Sequence, residues 1–220
     1  MVNRDLIYKY LGYNEKENIL TSDIKNLVED EIIEVEEKIT PKCLFSTILP
    51  VNIGKTTFIS DLELLGEDIK LHLKGSTHAV LFAATLGVNI DKLIRKYEQT
   101  SMTKVVIIDA ICNVIIEEFA DEKENEYRDK LKAEGLYLTE RYSPGYGDLP
   151  ISSQSSVLSA LDAQRKIGLT VTNSGIMIPR KSITAILGIS NIPVVGHKAN
   201  CSKCVLEGKC AFKKRGQTCY

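Results

Sequence analysis

The sequence predicts an α+β fold: a single domain with a largely antiparallel, twisted sheet flanked by helices, closed by a small C-terminal cysteine-rich appendage. Three observations lead there. Helical and strand-like periods are mixed without regular βα alternation, so a doubly wound parallel sheet is not expected. Several apolar segments are short and bounded by Gly or Pro, as strands are. Four of the six cysteines crowd the last twenty residues.

The first twenty residues hold aromatic and charged residues without clear period. From Ser22 the pattern turns helical, with Ile24, Leu27, Val28, Ile32, Val35 and Ile39 at three- and four-residue steps. Ser22-Asp23 reads as its N-terminal cap and Thr40-Pro41 as its stop. KCLFSTILPVNI reads as a strand interrupted at Pro50, and IKLHL (69–73) as a short alternating strand. HAVLFAATLG is apolar and small, a buried strand or a buried helical turn; period does not separate the two.

Two helices are expected between Asn89 and about Leu131. The second is apolar through Val105, Val106, Ile107, Ile108, Ile111, Val114, Ile115 and Phe119, then abruptly charged at DEKENEYRDK. A helix that starts in the core and emerges into water would read this way, the charge run being its solvated face. GLYLTERYSPGYGDLP has the Gly and Pro content of a structured loop. A third helix is expected from about Ser153 to Lys166, stopped by Gly168. LTVTNS, GIMI and SITAILGIS are strand-like. The division expected is a main domain over 1–192 and a tail over 193–220.

Composition removes several classes of function. Lys plus Arg number 28 against 29 for Asp plus Glu, a net charge of −1, so no global field holds nucleic acid or an anionic membrane surface. No apolar run reaches the roughly 18–20 residues of a spanning helix, and MVNRDLIYKYLGY lacks a signal-peptide core. The expectation is a soluble, cytoplasmic protein. Cys43 and Cys112 stand alone in apolar surroundings and read as small buried hydrophobes. In a reducing compartment, Cys201, Cys204, Cys210 and Cys219, spaced C-x2-C-x5-C-x8-C, read as a metal site for zinc or an iron–sulfur cluster, with free thiols as the third reading. The surrounding lysines favour thiolate and the docking of an acidic electron carrier.

NIGKTT (52–57) resembles a phosphate-binding loop but has Leu49 where that loop needs its first glycine, so nucleotide triphosphate hydrolysis is set aside. RYSPGYG (141–147) is more informative. Pro144 fixes one φ angle, while Gly145 and Gly147 admit backbone shapes that let a ligand approach closely. Arg141 brings a planar fork suited to a carboxylate or phosphate, and Tyr142 and Tyr146 could stack on a planar ring. Spacing alone favours the plainer reading of the same residues, a structural loop with its arginine pinned to a neighbouring carboxylate. His72, His78 and His197 stand singly in the sequence, and a lone histidine is more often structural.

RYSPGYGDLP, the long apolar helix before it, the later MIPRKSITAILG and the early YLGY segment together resemble the activation (reactivation) domain of cobalamin-dependent methionine synthase, over roughly Asp5 to Ile189. The resemblance implies S-adenosylmethionine binding. Arg141 would hold the methionine carboxylate, while Ser143, Gly145 and Tyr146 would contact the adenosyl part through the backbone. Glu117, two residues before Phe119-Ala120, would contribute to the same site; helical phase alone does not choose it over Glu118. The full-length enzymes carry an aspartate after the loop proline, where this chain has Ile151.

The implied function is a reactivation factor that supports reductive methylation of cob(II)alamin on a partner methionine synthase or another corrinoid protein. No Asp-x-His-x-x-Gly segment occurs here, so cobalamin would arrive on that partner, and a flavodoxin- or ferredoxin-like donor would supply the electron. The domain's part would be proximity and orientation, with no catalytic acid or base of its own. Two other readings stay open: a non-catalytic corrinoid-protein binding module, and a metal-dependent reductive activator of another corrinoid methyltransferase.

Overall fold

The computed structural model describes residues 2–13 and 21–193. It is α+β, with a largely antiparallel sheet and flanking helices. Two compact units share the chain. One combines Met1–Leu44, Ala83–Glu126 and Asp162–Ile183; the other combines Phe45–Phe82, Tyr127–Leu161 and Thr184–Tyr220.

The first unit is mainly helical. α1 (Arg4–Tyr10) lies where no period was evident; it is capped by the Asn3 side chain, which accepts from Leu6 N, and buries Ile7. α2 (Ser22–Lys38) follows the expected period, with Val28, Ile32 and Val35 buried, but its N-cap is Thr21 rather than Ser22. Asp23 sits instead in the first turn, where a carboxylate suits the positive end of the helix. α4 (Val88–Glu98) packs on α2. It starts from Gly87 at φ +90°, where a Cβ would collide with the Thr40 hydroxyl.

α5 (Met102–Ala133) is the long helix, and it corrects one expectation. Its N-terminal end is exposed at Met102 and Val106, and the buried stretch runs instead from Ile107 to Ile116. Hydropathy alone does not show which part of an apolar run its neighbours cover. Cys112 is fully buried in that stretch, and burial pushes its thiol up to about 12, so it is inert at neutral pH. Cys43 is only half-buried.

The second unit holds most of the sheet, whose order is β4-β3-β2-β5-β9-β6 with β1 also on β5. The strands are β1 (Lys42–Phe45), β2 (Leu49–Ile53), β3 (Thr57–Ile59), β4 (Leu62–Leu64), β5 (His78–Thr85), β6 (Tyr137–Leu138) and β9 (Ser182–Ser190). HAVLFAATLG is therefore a strand, buried from Ala79 onward. Pro50 lies inside β2, and the expected interruption falls instead between Phe45 and Leu49. NIGKTT is the turn of the β2–β3 hairpin, with Gly54 N donating to the Thr56 carbonyl; no helix follows it.

IKLHL is not a strand. It belongs to α3 (Glu67–His72), which buries Ile69 and His72. What makes it helical lies far away in the sequence, as the loop geometry below shows. The helix expected over 153–166 divides into α6 (Ser153–Leu161) and α7 (Ala163–Ile167), because Asp162 adopts a left-handed conformation at φ +54°. Aspartate tolerates that region better than most residues. Gly168 ends α7 in a left-handed cap, as expected. A small ribbon of β7 (Thr170–Val171) and β8 (Met177–Ile178) leads into β9. Among the described residues no helix is long and apolar enough to cross a membrane.

Candidate functional site

The 141–150 loop lies in the second unit and is held at both ends. At its start Tyr142 pairs with Ile186 of β9, N to O at 3.0 Å and O to N at 2.8 Å. Tyr142 is buried, with its ring 4.9 Å from the His72 ring, and its hydroxyl donates to the Tyr146 carbonyl at 3.2 Å. Burial first, then the Asp68 and Asp148 carboxylates, push its phenol above the usual tyrosine range, so it stays a donor. The expectation that Tyr142 could stack on a ligand is thus corrected: its face is used internally. Tyr146, its edge toward Tyr142 at 5.9 Å, is the exposed tyrosine of the pair.

Inside the loop the backbone closes on itself. Gly145 N donates to Leu149 O at 2.9 Å, Tyr146 N to Ser143 O and Leu149 N to Tyr146 O at 3.0 Å each. Gly145 has φ +93° and Gly147 φ +51°. A Cβ at Gly147 would run into the Asp68 carboxylate and the Tyr142 hydroxyl, so a side chain is excluded twice over. The far end is tied to α3: Asp148 accepts from Glu67 N at 2.7 Å and from Asp68 N at 3.0 Å. These two bonds, made by a residue 81 positions from Glu67, satisfy amides that a helix start otherwise leaves unpaired. That is the physical reason a strand-like pentapeptide is helical here. His72, on the same helix, lies 3.0 Å from the Thr139 hydroxyl, a buried structural contact.

What the loop leaves outward is Gly145, Tyr146 and Gly147, with Arg141 and Ser143 half-buried. Ile151, the residue in the place of the aspartate, packs on Gly145: its Cδ1 would lie 3.2 Å from a Cβ there.

The first unit carries a pocket of about 200 Å³ lined by Tyr10, Asn113, Ile116, Glu117 and the run Arg180–Ile183. Glu117 and Glu118 are adjacent on α5 yet placed differently. Glu118 accepts from the Asn3 backbone N–H at 3.1 Å, while Glu117 is exposed and lines the pocket. Opposite charge stands beside it. Lys181 is held by the Asp109 carboxylate at 2.6 Å and the Asn113 side-chain oxygen at 2.8 Å. Ser182 donates its hydroxyl proton to Pro179 O at 2.7 Å and lies within hydrogen-bond distance, 2.8 Å, of the Thr85 hydroxyl, and the Arg180 amide donates to Asp91 at 3.1 Å. The PRKS run is therefore fixed by its backbone and its neighbours, leaving the exposed Arg180 side chain at the pocket.

The profile of the family described as vitamin B12 dependent methionine synthase, activation domain, matches residues 69–191, from α3 through β9. The chain belongs to this family. The activation domain also resembles a solved structure, a crystal structure of the MetH reactivation domain bound to AdoHcy, at 15% identity and a TM-score of 0.67, over 99% of this chain and 82% of that one. That likeness establishes the fold. No curated protein sequence matches the chain.

Of the residues singled out from sequence, Arg141, Ser143, Gly145 and Tyr146 of the activation domain share one loop, and Glu117 lines the pocket of the other unit. Sequence reasoning missed Tyr10, Asn113 and Arg180 as neighbours of Glu117. For Tyr10 a signal existed, since it opens the YLGY segment. Asn113 could have been found four residues before Glu117 on the same helix face. Cys201, Cys204, Cys210, Cys219 and His197 lie outside the described residues. Among the described residues no group of three or more His, Cys, Asp or Glu side chains could hold a metal.

Proposed function

We propose that this activation domain binds S-adenosylmethionine and presents it to cob(II)alamin carried by a methionine synthase or another corrinoid protein. The observation that supports this most is the built loop. In a chain of this family, the loop that follows the half-buried Arg141 exposes two left-handed glycines and a tyrosine, and Tyr142 and Asp148 tie its two ends.

The residues suit the donor's chemistry. Arg141 offers a fork for its carboxylate. The glycine at 145 keeps the loop free of a side chain of its own there, which suits a close backbone approach of Ser143, Gly145 and Tyr146 to the adenosyl part. Glu117 supplies a carboxylate of the sign that a donor carrying an ammonium and a sulfonium calls for. When bound, S-adenosylmethionine supplies the methyl group, and the corrinoid is its acceptor. This chain's residues bind and orient the donor; proximity is their contribution.

Reconstitution tests the reading. A partner held in the cob(II) state, mixed with a low-potential reductant and S-adenosylmethionine, is expected to develop the methylcobalamin absorption only when this protein is present. An unchanged spectrum despite measurable donor binding would favour the non-catalytic binding module.

The proposed role of Cys201, Cys204, Cys210 and Cys219 is to hold an iron–sulfur cluster or zinc, four thiolates being enough for either. Iron, sulfide and zinc analysis of anaerobically prepared protein is expected to return one cluster or one zinc per chain. A colourless, metal-free protein would remove both the metal and its use with an electron donor.

A further inference from the structure

We infer that Asp148 is a positioning residue for the donor-gripping loop, acting by splicing that loop onto the start of α3; the inference rests on the donor-binding reading above. Three observations meet at this carboxylate. Its two oxygens are both engaged, Oδ2 with Glu67 N at 2.7 Å and Oδ1 with Asp68 N at 3.0 Å. Its approach requires a bare backbone opposite it: at Gly66, φ +130°, a Cβ would collide with the Asp148 carboxylate. The reciprocal contact is equally close, since Asp68, the second residue of α3, reaches back to the place a Gly147 Cβ would take. Two glycines on opposite partners are therefore cleared for two aspartates, and loop and helix interlock.

The consequence concerns the residues between the anchors. Tyr142 fixes the entry of the loop on β9, and Asp148 fixes its exit. Ser143, Gly145 and Tyr146 lie between and keep their shape only while both ends hold. Each cap bond is exposed and individually modest. Their effect is expressed through preorganisation: a loop already in its binding shape loses less freedom on taking up a ligand. α3 in turn is anchored by buried Ile69 and His72, so the carboxylate grips a helix that is itself packed.

The test compares wild type, Asp148→Ala and Asp148→Asn by two measurements below their unfolding transitions. One is calorimetric titration with S-adenosylmethionine and with S-adenosylhomocysteine. The other is hydrogen exchange at individual amides of the ligand-free protein. In Asp148→Ala the amides of Gly145, Tyr146 and Leu149 are expected to exchange at least roughly tenfold faster, while Ile186 on β9 is unchanged, and donor Kd is expected to rise roughly tenfold. Asp148→Asn keeps one side-chain acceptor and is expected to stay within roughly threefold of wild type in Kd, a partial rescue. Should Asp148→Ala prove unfolded, the asparagine variant carries the same two readouts at smaller amplitude.

Faster exchange confined to Glu67 and Asp68, with loop amides and Kd unchanged, would mean that Asp148 serves α3 alone, and the inference would fall. Wild-type protein that binds neither ligand would overturn the donor reading instead. In that case coupled exchange of the loop amides would still uphold the positioning role, and its absence would overturn that too.

Discussion

Arg141→Ala is expected to weaken S-adenosylmethionine binding by roughly 30- to 150-fold, the equivalent of about 2–3 kcal/mol. That is the lower part of the range for truncating one member of a hydrogen-bonded charge pair, chosen because Arg141 is half-buried rather than buried. Arg141→Lys keeps the charge but loses the planar fork, and an intermediate loss of roughly tenfold is expected. Calorimetric titration reads both. Binding unchanged in Arg141→Ala would show that this guanidinium does not hold the donor carboxylate, and the assignment of the loop would go with it. Glu117→Gln provides an independent comparison, because it removes a charge in the other unit and leaves the loop intact.

A second large effect is on stability and has nothing to do with the ligand. Glu31 of α2 is 1% exposed and ion-paired with Lys104 of α5, whose ammonium also lies 4.7 Å from the centre of the Tyr97 ring on α4. The other oxygen of Glu31, Oε2, is buried with no hydrogen-bond partner among the described residues. Lys104→Ala would leave a carboxylate inside the first unit with its counter-charge gone. Breaking a buried pair in this way costs about 3–5 kcal/mol. Lys104 is partly solvated, which places the expected loss near about 3 kcal/mol, or very roughly 6–12 °C in melting temperature for a chain of this length.

The paired variant Glu31→Gln with Lys104→Met is expected to recover most of that loss, since it removes the charge as well as its partner. Denaturant unfolding of the three proteins decides the matter. A loss under about 1 kcal/mol in Lys104→Ala would show that water already reaches Glu31. The pair also has a pH signature. Its hydrogen bond with Glu31, foremost, raises Lys104 above the ordinary lysine value. The stability that this shift contributes is complete below about pH 10.4 and is lost as pH rises through the higher folded value. The alkaline limb of the stability profile should therefore differ between wild type and the double variant.

Legibility of the fold followed how local each cause was. α2 was readable because Val28, Ile32 and Val35 carry its buried stripe at the helical period, and the break at Thr40-Pro41 follows directly. β9 and the stop at Gly168 were readable for similar reasons of propensity and left-handed geometry. HAVLFAATLG was undecidable because a fully buried strand and a buried helix turn share the same composition. IKLHL was misread because alternation over five residues is weak evidence, and the deciding Asp148 cap stands 81 positions from Glu67.

The site divides along the same line. The turn at 141–147 announces itself through Pro144, Gly145 and Gly147, whose conformational limits belong to those residues wherever they stand. From the chain alone one could determine the long periodic helices, the kinked loop and the family's two motif halves, because each arises from residues near one another in sequence. Only tertiary structure decided that Tyr142 is spent on its own loop, that Glu118 goes to the Asn3 amide while Glu117 lines a pocket, and that α3 is a helix at all. For Glu118 and for α3 the partner comes from a distant segment, and hydrogen-bond satisfaction across that distance selects among side chains that periodicity treats as equal.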